Sequence, residues 1–283
     1  FPLKKFIFSS KKKTTYKDFR IAFINSIKKR TQNIQKKICV PLSSGMDSGL
    51  IAGVLHKLQT PFLSFVIKYG EDEDIINLRK KILTTNKRNN FFDVKITKKI
   101  AKIEKKFLMK NSPFFNINID YKPYHSNDFR EIDAFHGLSR IFRLAKKRNA
   151  HIILSGQGAD EIISDYYAPG TNSRRSCFLG NWNLSNKPWF NFYGGWNKTF
   201  LNINERLAGA HGMETRYPFL DFELVQSFLS LPNKMKAKYY KAPIVEILKK
   251  INFPYHNRKF GMSAYNQKRK KQNKFIRTKQ KEY

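Results

Sequence analysis

Two short loops, each lying between an apolar run and a helical pattern, constrain the fold of this chain more than any other feature. Residues 42–48 read Leu-Ser-Ser-Gly-Met-Asp-Ser, and residues 154–161 read Leu-Ser-Gly-Gln-Gly-Ala-Asp-Glu. The apolar runs before them, residues 38–42 and 151–154, are typical of buried parallel strands. Small residues at the carboxyl end of a strand let backbone N–H groups approach phosphate oxygens. The repeated strand–loop–helix unit therefore predicts a polyphosphate pocket at one edge of a parallel sheet.

The first loop differs from the phosphate loop of kinases, because Asp47 and Ser48 stand where that motif needs Lys and then Ser or Thr. Its Ser-x-Gly-x-Asp-Ser pattern is typical of enzymes that cleave ATP between the α and β phosphates. We expect Ser43, Gly45 and Ser48 to bind pyrophosphate through hydroxyl and backbone N–H groups. Taken alone, the same pattern also suits a plain Ser- and Gly-rich connection between a strand and a helix.

Each loop also carries an aspartate near its end, Asp47 in the first loop and Asp160 in the second. Carboxylate oxygens are hard ligands of the kind that Mg²⁺ prefers. We expect this pair to hold Mg²⁺ against the triphosphate of ATP, where the ion neutralises charge that builds on the leaving group. The sequence thus predicts ATP and Mg²⁺ as ligands.

The pattern up to Asp165 alternates strands with helices, which predicts an α/β fold with a doubly wound parallel sheet. The ligand site of such a sheet lies at the carboxyl ends of its strands. From Phe200 onward the pattern is mostly helical. Further strands are predicted at 62–69 and 91–96, helices at 16–30, 48–58, 132–147, 204–212, 221–231 and 240–251, and a long structured loop at 169–196.

A third stretch, residues 205–221, reads Glu-Arg-Leu-Ala-Gly-Ala-His-Gly-Met-Glu-Thr-Arg-Tyr-Pro-Phe-Leu-Asp and resembles the most distinctive motif of the asparagine synthetase family. The synthetase domain of that family carries a Ser-Gly-Gly-x-Asp-Ser loop, a Ser-Gly-Glu-Gly-x-Asp-Glu loop, this motif and a later Lys-x-Gly-Phe. All four occur here in order, the last as Lys-Phe-Gly-Met at residues 259–262. The resemblance covers about residues 15–265 and implies an adenine nucleotide alpha hydrolase-like fold.

The resemblance also implies roles for single residues. Lys259 matches a lysine near the α phosphate, where a cation stabilises the pentacovalent transition state; the alternative is one more surface lysine. Glu205 and Arg206 match an acid–base pair that faces the charged ends of the acceptor substrate, and the alternative is an ordinary ion pair on a helix surface. The residues implied to flank the adenosine, partly through backbone groups, are Leu42, Ile67, Ser155 and Gly156.

Other charged residues of the third motif are expected to have structural rather than chemical roles. Glu214, Arg216 and Asp221 match the family pattern, and charges of this kind usually pair with one another and with helix ends. His211 also belongs to the motif, but nothing in the pattern makes it a general base.

Three positions depart from the family pattern. Gln157 stands where relatives have a glutamate that helps to bind and deprotonate ammonia, and glutamine cannot accept that proton at neutral pH. Ser44 replaces a glycine of the first loop, and a serine adds strain there if the position needs a positive φ. Lys68 stands where the second strand of relatives commonly has glycine. Adenylation is therefore the better-supported half of the reaction.

We hypothesise an ATP-dependent amide-forming ligase that adenylates a carboxylate and releases AMP and pyrophosphate, with aspartate as the default acceptor. The expected small-molecule partners are a carboxylate and ammonia or another amine, and a glutaminase domain or subunit can supply the ammonia. One alternative is a related amide ligase that uses another carboxylate or amine. The others are a non-catalytic ATP-binding subunit and an RNA-modifying adenylating enzyme.

Composition and charge bear on the last alternative. The net charge of +34 comes from 55 basic and 21 acidic residues, and a basic surface is typical of proteins that bind nucleic acid or anionic membranes. The lysines are spread along the chain, however, which favours mutational drift toward Lys, Asn, Ile and Phe, so no nucleic-acid partner is expected.

The sequence also bears on the domain organisation and location of the protein. The chain is predicted to comprise a basic N-terminal segment (1–15), a synthetase-like ATP pyrophosphatase domain (16–265) and a basic, disordered tail (266–283). It is expected to begin at about the linker that follows the glutaminase domain in relatives. No apolar run is long enough to span a bilayer. The two cysteines lack metal-ligand spacing and fit a reducing compartment, so a cytoplasmic location is expected.

Overall fold

The computed structural model describes residues 5–7, 13–115, 128–164, 195–236 and 238–256. Its helices and strands, in chain order, are α1 (Lys17–Thr31), β1 (Lys37–Pro41), α2 (Met46–Lys57), β2 (Leu63–Ile67), α3 (Glu73–Leu83), β3 (Asn90–Val94), α4 (Lys98–Asn111), α5 (Asp133–Lys146), β4 (Ala150–Leu154), α6 (Gly195–Ala210), β5 (Glu214–Arg216), α7 (Phe222–Leu229), α8 (Asn233–Lys236) and α9 (Ala242–Lys250). Short helical turns lie at Phe129–Glu131, Asp160–Ser164 and Pro218–Leu220.

The five strands form one parallel sheet in the order β3-β2-β1-β4-β5. The chain moves outward from β1 to β2 and β3, and later returns to the other side of β1 with β4 and β5. The strand order therefore reverses between β1 and β4, and the crevice at the carboxyl ends of those two strands is where such sheets bind ligands. The predicted doubly wound parallel sheet is confirmed.

The sheet is covered on both faces, as a parallel sheet requires. Successive side chains of a strand point to opposite faces. In β1, Ile38 and Val40 accordingly join the core that includes α1, α2, α7 and α9, while Cys39 joins the core that includes α5 and α6. All five residues of β2 are buried, and all but Ser64 are apolar, so this strand does not alternate between apolar and polar residues. Burial on both faces fixes the register of β1 and β2, and with it the position of the loops that follow these strands.

The four predicted strands are all present, with boundaries that differ by at most two residues. Pro41 ends β1 beyond the last residue that pairs with β4, so its missing N–H leaves no gap in that ladder. The fifth strand, β5, was not predicted. Helix α6 begins at Gly195 rather than at residue 204, so the predicted loop at 169–196 is wrong for its last two residues; residues 169–194 lie outside the described part.

The division of the chain into three segments stays a prediction. Within the N-terminal segment, residues 5–7 contact α7: the Phe6 ring stacks on Phe222 with 4.5 Å between centroids. The Gln226 side chain accepts a hydrogen bond from the Ile7 N–H at 2.8 Å and donates one to the Ile7 carbonyl at 2.9 Å. The predicted tail at 266–283 lies outside the described residues. Among the helices of the described part, none has the length and apolar character needed to cross a membrane.

Candidate active site

The two loops identified in the sequence meet at the carboxyl edge of β1 and β4. The first leads from β1 into α2, and the second leads from β4 into the turn Asp160–Ser164. A Cβ atom added to Gly156 would lie 3.0 Å from the Cβ of Asp47 and 3.4 Å from the backbone nitrogen of Ser48. Any larger residue at position 156 would therefore push the loops apart.

Both predicted magnesium ligands contact the same side chain, Lys241. Its ammonium nitrogen Nζ lies 2.6 Å from each carboxylate oxygen of Asp47 and 2.7 Å from Oδ1 of Asp160. The Lys241 side chain is only 3% exposed. The structure thus brings the two carboxylates together within reach of one cation, as the sequence predicted, and places a lysine between them, which the sequence did not predict.

The electrostatics of this cluster favour the charged lysine. Burial disfavours the ammonium, but attraction to Asp160 and Asp47 outweighs it and holds the pKa of Lys241 well above its ordinary value. Tyr240 donates a hydrogen bond to Oδ1 of Asp160 at 3.3 Å. Burial raises the pKa of the Tyr240 hydroxyl, so this residue stays a donor. Among Asp47, Asp160 and Lys241 alone, two carboxylates share one ammonium group.

The chemistry of this cluster fits magnesium if a second molecule completes the coordination sphere. Within the described ranges, no group of three or more His, Cys, Asp or Glu side chains is arranged to hold a metal ion. Magnesium is commonly bound by only one or two protein carboxylates together with waters and substrate phosphates. Asp47 and Asp160 match that pattern, and binding of the ion would require the Lys241 ammonium to move away from their oxygens.

The residues predicted to bind pyrophosphate form one compact turn. The hydroxyl oxygens of Ser43 and Ser48 are 2.9 Å apart, and the Gly45 N–H donates to the Ser43 hydroxyl at 3.2 Å. Gly45 has an extended backbone and directly precedes α2. Because glycine has no side chain, it cannot cap the first N–H groups of that helix, which leaves the helix N-terminus able to bind an anion.

Ser44 is accommodated without the strain that a positive φ would cause, because it is not among the residues with a positive φ. The serine is fully buried. Its N–H and its hydroxyl both donate to Oε2 of Glu71 at 2.5 Å, and the hydroxyl accepts from the Asp72 N–H at 3.2 Å. Burial raises the pKa of Glu71. Glu71 was not predicted from the sequence, although an acidic residue just past the carboxyl end of β2 was a usable signal.

Arg79 is a second residue that the sequence analysis missed. Its side chain is fully buried and lies behind the first loop. It donates to the carbonyls of Ser43 and, at 2.9 Å, of Gly45, and to the Pro254 carbonyl at 3.0 and 2.8 Å. Burial lowers the pKa of Arg79 to about 10, so the guanidinium remains charged at neutral pH. The available signal was an arginine three residues after Ile76 on the apolar face of α3.

The residues predicted to flank adenosine share the same edge of the sheet, but their side chains diverge. Leu42 packs into the core that includes α1 and α2, whereas Ile67 packs into the core on the opposite face. The Ser155 N–H donates to the Arg216 carbonyl at 3.0 Å, and the Ser155 hydroxyl accepts from the Gln157 N–H at 3.2 Å. Any shared contact of Leu42 and Ile67 with a nucleotide would therefore involve their backbone groups.

Gln157 lies in the second loop and is half-buried. The next residue, Gly158, has φ +92°, and a Cβ added there would lie 2.5 Å from Leu220. Gly158 is thus required both by its left-handed backbone and by its contact with the third motif. This packing holds the Gln157 loop against residues 205–221.

Glu205 and Arg206, the predicted acid–base pair, contact different neighbours. Glu205 accepts a hydrogen bond from the Tyr217 hydroxyl at 2.6 Å, and burial raises the pKa of that tyrosine. Tyr217 directly follows β5, so Glu205 lies near the carboxyl edge of the sheet. The Arg206 guanidinium lies 5.1 Å from the centroid of the Phe115 ring. Lys259 lies outside the described residues, so its role stays a prediction.

The other charges of the third motif connect it to the C-terminal end of α1. Arg216 donates to Oε1 of Glu214 at 2.6 Å and to the Arg30 carbonyl at 2.7 Å. Asp221 accepts from Arg30 at 3.0 Å, and it caps α7 by accepting from the Glu223 N–H at 3.1 Å. These contacts pair the charges with one another and with helix ends, as the sequence indicated.

His211 belongs to a buried hydrogen-bond network behind the sheet. Ser139 donates to Oε2 of Glu104 at 2.8 Å, and His211 Nε2 lies 2.9 Å from the same hydroxyl oxygen. Because the single hydroxyl proton goes to Glu104, the histidine nitrogen is the donor in its own bond. Burial, and then the nearby Arg143, lower the pKa of His211 to about 4. The residue is therefore neutral at physiological pH and has a structural role.

This lowered pKa predicts a pH dependence of stability. Between pH 6.5 and about 4 the unfolded chain protonates His211 and the folded chain does not, so stability falls as the pH falls. Allowing for partial exposure, we expect a loss of about 2 kcal/mol by pH 4. A His211→Gln variant keeps an N–H donor but cannot titrate, so urea unfolding at several pH values should show a flatter slope over this range. An unchanged slope in the variant would contradict the assignment.

Comparison with known proteins places these features in a family. The sequence model of the family described as asparagine synthase matches residues 18–199 and 190–278. The asparagine synthetase [glutamine-hydrolyzing] of Mesocricetus auratus is 25% identical over 236 residues, which cover 79% of this chain and 37% of that protein. The putative asparagine synthetase [glutamine-hydrolyzing] 1 of Methanocaldococcus jannaschii is 28% identical over 229 residues, covering 76% and 36%. The chain therefore spans little more than a third of the length of these relatives.

Alignments with solved structures were also found. The U34-tRNA thiolase NcsA from Methanococcus maripaludis aligns with a TM-score of 0.45 at 13% identity, over 89% of this chain and 71% of that one. The NH3-dependent NAD synthetase from Campylobacter jejuni aligns with a TM-score of 0.34 at 11% identity, over 53% and 61%.

Proposed function

Because the chain belongs to the asparagine synthase family, we propose that it is an ATP-dependent ligase that adenylates a carboxylate and converts it to an amide. A carboxylate oxygen of the acceptor attacks the α phosphorus of ATP, the bond to the bridging oxygen breaks, and pyrophosphate leaves. A nitrogen nucleophile then attacks the carbonyl carbon of the acyl adenylate and AMP leaves. Aspartate is the default acceptor, which would make asparagine the product.

One observation carries this proposal: two carboxylates from separate loops, Asp47 and Asp160, lie within reach of one cation at the point where the strand order reverses. Beside them, the Ser43 and Ser48 hydroxyls and the N-terminus of α2 offer donors for the leaving pyrophosphate. Asp47 and Asp160 would hold Mg²⁺, which would supply positive charge against the β and γ phosphates. Arg79 would maintain the conformation of the first loop by donating hydrogen bonds to the carbonyls of Ser43 and Gly45.

The acceptor is proposed to bind on the β5 side of this edge. Glu205 is exposed and held by Tyr217, which suits a carboxylate that contacts the ammonium group of an amino acid. Arg206 is proposed to face a carboxylate of the acceptor, and Lys259 to contact the α phosphate. Leu42, Ile67, Ser155 and Gly156 are proposed to flank the adenosine.

The nitrogen nucleophile is proposed to arrive as neutral ammonia or another neutral amine. Gln157 has no carboxylate to take a proton from an ammonium ion, so it is proposed to orient the nucleophile by hydrogen bonding. The names of both relatives describe them as glutamine-hydrolyzing, and we propose that a glutaminase domain or subunit supplies the ammonia here too.

ATP–pyrophosphate exchange with a panel of carboxylates tests this proposal. We expect labelled pyrophosphate to enter ATP only when a carboxylate is present, with aspartate the most effective, because exchange requires reversal of acyl-adenylate formation. Adding ammonia should then release AMP and amide in equal amounts. Exchange with another acid alone would retain the ligase and change its substrate. ATP binding without exchange for any acid would indicate a non-catalytic subunit, and exchange that requires tRNA would indicate an RNA-modifying enzyme.

A further inference from the structure

The position of Lys241 is unusual for a lysine. It lies in the left-handed region of backbone conformation, with φ 51° and ψ 41°, immediately before α9. A non-glycine residue held there costs about 1 kcal/mol, and such residues persist only where the surrounding structure determines them. The side chain is almost completely buried and ends between two carboxylates. The fold thus holds this ammonium at one particular point.

The distances indicate which point that is. Nζ lies 2.6 Å from Oδ1 and 2.6 Å from Oδ2 of Asp47, so it is equidistant from the two carboxylate oxygens. This is the place that a cation bound by both oxygens would take. Because Asp160 Oδ1 is also 2.7 Å away, the lysine satisfies both loops at once. A metal ion that binds the same oxygens would occupy the position of the ammonium, so the two cations cannot be bound at the same time.

The charges explain why a cation is needed between the Asp47 and Asp160 carboxylates. Two carboxylates that are largely removed from solvent repel one another and lose hydration, so the pair needs a positive charge to stay assembled. Lys241 provides it without any ligand. A free divalent ion has to displace this ammonium and leave it without a counter-charge. An ion that arrives with a triphosphate brings phosphate oxygens with which the displaced ammonium can pair.

We propose that Lys241 is a resident counter-cation that keeps the Asp47–Asp160 pair assembled in the nucleotide-free protein and excludes free divalent metal. Metal then enters only together with the nucleotide. This inference rests on the proposed function, since it assumes that the pair serves a metal–nucleotide complex. It makes Lys241 a positioning residue, one that acts through the two aspartates.

The test measures binding of Mn²⁺, as a stand-in for Mg²⁺, to the full chain without nucleotide by electron paramagnetic resonance. The parent protein should bind Mn²⁺ weakly, and Lys241→Met at least about tenfold more tightly, because the competing charge is gone. Adding Asp160→Asn to Lys241→Met should remove that gain. Lys249→Met is the matched control: Lys249 lies in the same helix, α9, and pairs with Glu246 at 3.7 Å, so its loss should leave Mn²⁺ binding unchanged.

A second measurement uses only the parent protein and so does not depend on the folding of a variant. Mn²⁺ binding is compared with and without a non-hydrolysable ATP analogue, and the analogue should tighten it at least about tenfold. Equally tight binding in its absence would overturn the proposal, as would a folded Lys241→Met variant with no gain or an equal gain in the Lys249→Met control. If carboxylate-dependent exchange fails while Lys241→Met still gains Mn²⁺, the ligase is refuted and the resident cation stands.

Discussion

Asp47→Asn and Asp160→Asn are each expected to lower ATP–pyrophosphate exchange by at least about a hundredfold, the usual scale for removing one preorganised electrostatic contact to a transition state. Asparagine keeps the size of the side chain but loses the charge that would hold the metal. Each change also removes one of the two counter-charges of the buried Lys241, so the variants should unfold at lower temperature than the parent.

The control for this pair is Asp18→Asn, which removes an aspartate whose side chain is 47% exposed and pairs with Lys13 on the surface. Exposed ion pairs contribute little, about 0–1 kcal/mol, so its exchange rate and stability should match those of the parent. Thermal unfolding without ligands separates lost chemistry from lost folding. Full exchange activity in either Asp47→Asn or Asp160→Asn would remove the metal-binding role from that residue.

Gly49→Ala is expected to destabilise the protein by about 2–4 kcal/mol and to abolish ATP binding. A Cβ at position 49 would lie 2.3 Å from Nη2 and 2.5 Å from Cζ of Arg79. The guanidinium is fully buried and held by the carbonyls of Ser43, Gly45 and Pro254, so it cannot move aside at low cost. Displacing it would leave buried carbonyls without donors and would deform the first loop.

Gly209→Ala is the matched control, because Gly209 also lies in a helix but a Cβ there would meet nothing within 4 Å. Alanine is favoured over glycine inside helices by about 1 kcal/mol, so this variant should be as stable as the parent or slightly more stable. Urea unfolding measures both variants, and calorimetry with ATP measures binding. If Gly49→Ala unfolds like the parent and binds ATP, Arg79 is not the residue that shapes the loop.

The residues that could be found from the sequence carry local signals. An apolar run followed by small residues and a helical pattern marks the end of a parallel strand, and this pattern located both loops and both aspartates. The reversal of strand order between β1 and β4 then brings those loops together. The pairing role expected for the charges of the third motif also agrees with the structure, since Arg216 and Asp221 contact the end of α1.

The fifth strand was missed because its signal is short. β5 has three residues, Glu-Thr-Arg, of which only Thr215 is buried, so it shows neither an apolar run nor a clear alternation. It exists because β4 offers it a parallel partner over Ile152–Leu154. Pairing between distant segments decides such a strand, and local propensity does not.

The sequence alone predicted a doubly wound sheet from the alternation of strands and helices along the chain. It also located the two loops and the aspartates near their ends, because each loop is encoded within about ten neighbouring residues. Only the tertiary structure revealed Lys241, Arg79 and Glu71. Lys241 is 194 residues from Asp47 in the chain, and among 55 basic residues no local pattern distinguishes it. Its importance comes from burial between two carboxylates, and burial is a property of the packed fold.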